Sequence, residues 1–212
     1  MSLKKISLAM MAMVAFLCSG FVSESYLNKA IAGSAESDLQ SVVEGKIKTM
    51  YPEFIDLVSK GANEQSMMKF ALTNLDTIAI SKSFCGEKND KLIESLVKFL
   101  LWRLKTATLQ TVKEYKLGNE FHVIEKKSTV SGKCVLNGKN DNVDMSVIFS
   151  KDGKNLGKIR EIIVLNIPLI DGAKSVMRKY YEKNGIKINS LTPDQRAEKG
   201  CEALDNFVRE NA

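Results

Sequence analysis

The chain is predicted to adopt an α+β fold: long N-terminal helices packed on a curved antiparallel sheet of about four strands, with further helices at the C-terminus. Three observations lead there. Apolar residues recur at three- and four-residue spacing from Leu39 to Val112, then at two-residue spacing from Phe121 onward, and the last stretch returns to helix-capping signals. The pieces between strand candidates are short and turn-rich, which implies an antiparallel meander. Helices first and then strands place the helices on one face of that sheet.

The first element is set apart from the fold. Lys4 and Lys5 precede an uncharged apolar run from Ile6 to Val22, and Ala30-Ile31-Ala32 supplies a small-x-small site. That is the layout of a secretory signal peptide over residues 1–32, with cleavage expected after Ala32; an uncleaved membrane anchor is the alternative, since a span needs roughly 20 residues. Cys18 follows Leu17, where a lipoprotein signal wants a small residue. Residues 33–212 are then a single domain. Without Lys4, Lys5, Lys29 and Glu24 the net charge falls from +6 to +4. So mild and dispersed a charge excludes a nucleic-acid stripe.

Ser37 with Gln40 resembles a capping box, and Leu39, Val43, Ile47, Met50, Phe54 and Val58 form the stripe of a first helix, kinked or split at Pro52. Gly61 and Asn63 mark a turn. Met67, Phe70, Ala71, Leu75, Ile78 and Ala79 outline a second helix. After the turn Gly86 to Asp90, a third runs from Leu92 to about Tyr115, so apolar in its middle that it needs cover on more than one side. Strands follow at Phe121–Glu125, Thr129–Leu136, Val143–Ser150 and Ile159–Ile167, with turns such as Asn137 to Asn140 between them. A helix from about Ala173 to Lys183 closes on Asn184-Gly185, and a last one opens with Thr192 as N-cap and Pro193 in its first turn.

The chemistry these residues permit is narrow. His122 is the single histidine, no phosphate loop or nucleophile motif is present, and no catalytic residue or enzyme activity is expected. Asp76 and Glu161 are isolated carboxylates in apolar runs, of the kind that cap or pair more often than they catalyse. Cys85, Cys134 and Cys201 allow one disulfide and a leftover thiol, or three thiols. A zinc site from these and His122 lacks ligands in close pairs, so neither metal nor cofactor is expected. What the chain has in excess is apolar surface. The run Ile162 to Leu165 places two branched or long apolar side chains on each face of its strand, which raises the question of what covers the second face. Met67, Met68, Met145 and Met177 suit a chamber whose shape adapts.

Three stretches carry a resemblance that spans nearly all of residues 33–212. They are "TNLDTIAISKSFCG" from Thr73 to Gly86, "LIESLVKFLLWRLKTATLQTVKEY" from Leu92 to Tyr115, and "KIREIIVLNIPLIDGAKSVMRKYYEKNG" from Lys158 to Gly185. In order, length and pattern they resemble the toluene-tolerance family, the periplasmic phospholipid-binding carriers of the Mla pathway. Asp76, Gly86 and Glu161 stand at the family's aspartate, closing glycine and strand carboxylate. Thr73 replaces a usual proline, Asn166 and Pro168 replace a glycine and a serine, and Asp171 to Ser175 lack the usual Asn-Tyr-Arg run.

The resemblance implies a monomeric periplasmic carrier that moves a phospholipid between an outer-membrane lipoprotein complex and an inner-membrane ABC transporter complex, its tails held in an apolar cavity between helices and sheet. On that reading the expected lining is Phe84 with Leu96, Phe99, Leu100 and Leu104 of the long helix, Met145, Val147 and Phe149 of the third strand, and Ile162, Val164 and Ile167 of the fourth. The alternative is a periplasmic protein-interaction module with a solid core and no lipid ligand.

Overall fold

The structure, a computed structural model, describes residues 36–105, 114–151, 155 and 157–211; the expected signal segment and the side chains of Ser37 and Val58 lie outside this description. Helix α1 spans Glu36–Ser59, and its stripe Leu39, Val43, Ile47, Met50 and Phe54 is buried throughout. The helix continues through Pro52 instead of splitting there. Pro52 and Lys48, whose carbonyl the proline deprives of a partner, both lie on the exposed side, where water can take the bond. Met50, Tyr51 and Phe54 are buried on either side of the proline. At about 1.5–3 kcal/mol each, their burial outweighs the roughly 3 kcal/mol cost of an internal proline.

The expected second helix is two. Helix α2 (Glu64–Asn74) begins in a capping box between Asn63 and Ser66, and α3 (Thr77–Cys85) ends on Gly86 with φ 98°. Between them the chain extends: Leu75 bridges Ile159, and the Asp76 amide donates to the Ile159 carbonyl at 2.8 Å. Asp76 then restarts the helix, accepting from the Ala79 amide at 2.9 Å. The third expected helix, here α4 (Asp90–Leu104), is capped by Asn89 and is shorter than its apolar pattern predicts. Tyr115 is not helical and the first strand has begun by Lys116, while residues 106–113 lie outside the description.

The sheet is a meander of five antiparallel strands in sequence order: β1 (Lys116–Glu125), β2 (Thr129–Asn137), β3 (Asn142–Ser150), β4 (Ile159–Val164) and β5 (Ile167–Pro168). The pairs Met145 with Val164 and Val147 with Ile162 fix the inner face; the opposite face, carrying Ile148 and Ile163, is only half-buried. The β2 backbone at Gly132 lies directly under α1, since an added Cβ there would sit 2.5 Å from Ile47 Cδ1. The expected single strand Ile159–Ile167 turns back on itself. Leu165 and Asn166 have φ of 56° and 58°, and Val164 pairs with Ile167 across them, as in a two-residue primed turn. Asn adopts that conformation readily. Leu165 does so at about 1–2 kcal/mol, offset by its packing against the core.

Helices α5 (Asp171–Lys183) and α6 (Pro193–Asn211) follow the sheet. Asn184 caps α5 and Gly185 follows with φ 64°; Thr192 and Gln195 form the reciprocal box that opens α6. Helix α6 packs on α4, with α3 and α5 beside it, so α4 is covered by α6 on one side and by α2 on another. Gly200 allows that close approach: a Cβ there would lie 2.5 Å from Met177 Cε and 3.1 Å from Leu92 Cδ1.

Candidate functional site

Between α1, α2, α4 and β4 the interior holds a slit of about 20 Å³, room for roughly one water molecule. Its walls are Phe54 from α1, Met67 and Phe70 from α2, Leu100 and Leu104 from α4, Ile162 from β4, and Leu75, Leu169 and Ile170 from the connecting segments. Arg103 closes one side. Among the described residues no polar surface faces the space, so the slit suits hydrocarbon.

Two buried carboxylates hold this arrangement. Glu161, 5 % exposed, reaches from β4 to the start of α5: Oε1 accepts from the amides of Ile162 at 2.9 Å and Ile170 at 2.8 Å, and Oε2 from that of Asp171 at 2.6 Å. No side chain of α5 itself performs this capping, so Glu161 supplies it and thereby fixes the slit residues Leu169 and Ile170. Burial pushes its carboxyl above the ordinary carboxylate range, the three amide donors oppose that shift, and the Asp171 charge adds to it. Asp76, 1 % exposed, caps α3 and lies 3.6 Å from Arg160 Nε; Arg160 also donates to Ser150 Oγ at 2.9 Å. Both carboxylates thus cap, and Asp76 also pairs with a cation. His122 is exposed in β1, opposite Lys133. Cys85, Cys134 and Cys201 are free thiols.

Of the expected lining residues, Leu100, Leu104 and Ile162 meet in the slit. Leu96, Met145, Val147, Phe149 and Val164 are buried in the surrounding core, and Ile167 is half-buried in β5. Phe84 and Phe99 line two separate hollows outside the slit. One, of about 440 Å³, lies between α3 and α5 and contains Met177 and Tyr181, with Lys174 Nζ 5.3 Å from the Phe84 ring. The other, of about 630 Å³, lies between α4, α5 and α6. Phe99, Val176, Ala203 and Phe207 give it an apolar lining, and Arg103, Lys179, Lys183 and Glu210 line it too. Arg103 borders both this groove and the slit. The sequence reading named none of the three cations. Their signal was faint: Lys179 and Lys183 stand one turn apart on α5, with Tyr180 and Tyr181 between them.

No family model matches the sequence, and no curated protein matches it. Among solved structures, the chain is similar in fold to a phospholipid-binding protein from Ralstonia solanacearum, determined in complex with a phospholipid. The TM-score is 0.50 at 15% identity, over 76% of this chain and 98% of that one. The α+β architecture read from the sequence is therefore one that a solved protein shares along almost its whole length.

Proposed function

We propose that this chain is a non-enzymatic carrier that binds a phospholipid by its acyl tails and moves it through the periplasm, between the outer-membrane and inner-membrane complexes that the family resemblance implies. One observation carries the reading: a slit walled by apolar side chains of three helices and a strand and closed by Arg103, in a fold shared with a protein solved with a phospholipid bound. The physical need is plain. A two-chain lipid has about 30 methylenes, and at roughly 0.8 kcal/mol each their exposure to water costs on the order of 20 kcal/mol.

The slit is far smaller than the several hundred Å³ of a loaded ligand pocket, so loading requires α2 and α4 to move off β4. Mass spectrometry of gently purified protein, followed by lipid extraction, tests the proposal. Wild type is expected to retain a phospholipid and Leu100→Gln, which puts an amide into the slit, to lose it while remaining folded. A wild-type protein with no lipid, or full retention by Leu100→Gln, would favour the second reading, a solid-cored interaction module, which the small volume of the slit supports.

A further inference from the structure

We infer that the groove between α4, α5 and α6 receives the phosphate end of the lipid, with Arg103 standing where head and tails part. This rests on the carrier reading and assigns it a place for the charged half of the molecule. The groove, at about 630 Å³, lies within the size range of small-molecule sites, and it meets the apolar slit at one residue, Arg103. An amphiphile lying across Arg103 would have tails in a space without polar surface and its phosphate in a groove lined by three cations and one carboxylate.

The position of Arg103 is set by its neighbours. The guanidinium carbon lies 5.8 Å from the Phe99 ring centre and 5.9 Å from that of Trp102, and Gly172 leaves it room, for a Cβ there would approach Nη2 to 3.3 Å. A planar fork held against aromatic faces suits phosphate oxygens in two-point contact. Lys179 and Lys183, exposed and one turn apart on α5, offer ammonium groups along the same groove. The lining by Phe99 and Phe207 is apolar, which suits the glycerol backbone and first methylenes better than a free ion.

Trp102, the single tryptophan, packs edge-on against Phe207 with ring centres 4.9 Å apart, so its fluorescence reports on the groove. The test titrates the full chain with three probes: dioctanoyl phosphatidylglycerol below its micelle concentration, dioctanoylglycerol, and inorganic phosphate. The phosphatidylglycerol is expected to shift Trp102 emission and to bind about tenfold more weakly to the double variant Lys179→Glu, Lys183→Gln; dioctanoylglycerol is expected to bind both proteins alike. Equal phosphatidylglycerol affinity in wild type and variant would overturn the inference and leave the carrier reading standing. Binding of neither amphiphile to wild type would sink both. Lysine-dependent binding of inorganic phosphate as tight as that of the phosphatidylglycerol would make the groove a free-phosphate site and overturn the inference.

Discussion

Replacing Glu161 by Gln isolates what one buried carboxylate does for the wall of the slit. The Gln carbonyl can keep the amides of Ile162 and Ile170, but its NH2 then faces the Asp171 amide that Oε2 now accepts at 2.6 Å. One shielded donor loses its acceptor, at about 1–3 kcal/mol. Glu161→Ala deprives all three, for roughly 3–5 kcal/mol. The Gln deficit depends on pH. Because the folded carboxyl titrates above its unfolded value of 4.5, the folded protein holds more protons than the unfolded chain between the two pKa values. Wild type therefore gains stability as pH falls through that window and loses it as pH rises, whereas the Gln variant has no such contribution. Urea unfolding followed at pH 5 and pH 8 should show a Gln deficit that is larger at pH 5, with a midpoint about 1 M lower for a typical slope. An absent deficit would refute the capping account, and one larger at pH 8 would refute the burial-driven rise, because the amide donors favour the ionised carboxylate.

Two further outcomes follow from packing and burial. Gly132→Ala drives a methyl to within 2.5 Å of Ile47 and 2.6 Å of Val43, and it should cost about 1–3 kcal/mol through displacement of α1, measured as a lower urea midpoint. Native alkylation with iodoacetamide at pH 7.5 and peptide mapping should find Cys201 modified well before Cys85 and Cys134. Cys201 is half-buried, the other two are 0 % and 3 % exposed, and burial, aided by the Asp144 charge, pushes the Cys134 thiol up to about 11. Equal labelling of Cys134 and Cys201 would contradict the packing of β2.

The fold was legible where periodicity and caps agree. The stripe of α1, the hairpin joining β2 and β3, the Asn184-Gly185 stop and the Thr192 start all appear in the structure. It was illegible where a tertiary contact decides. Nothing local says that Leu75 leaves its helix to bridge Ile159, a strand more than eighty residues later, so one apolar run read as one helix. The reversal at Leu165-Asn166 hides because leucine is a poor occupant of a positive φ, and only Asn166 carries the usual turn chemistry. The start of β1 was obscured by the irregular pairing between Leu117 and Phe121, which places Gly118, Asn119 and Glu120 in the strand. At the site, the apolar side chains were readable as buried but not as belonging to one hollow or another, because that depends on how α4 sits between β4 and α6.

Strand β5 has only two residues, and one of them is Pro168, which has no amide hydrogen to donate. A neighbouring chain finds almost no backbone to pair with along that margin. The ten-residue β1 at the opposite margin is the side where strand addition has a ladder to extend. Among the described strands, β1 is thus the border open to self-association through the backbone, and charged substitutions meant to suppress aggregation belong there.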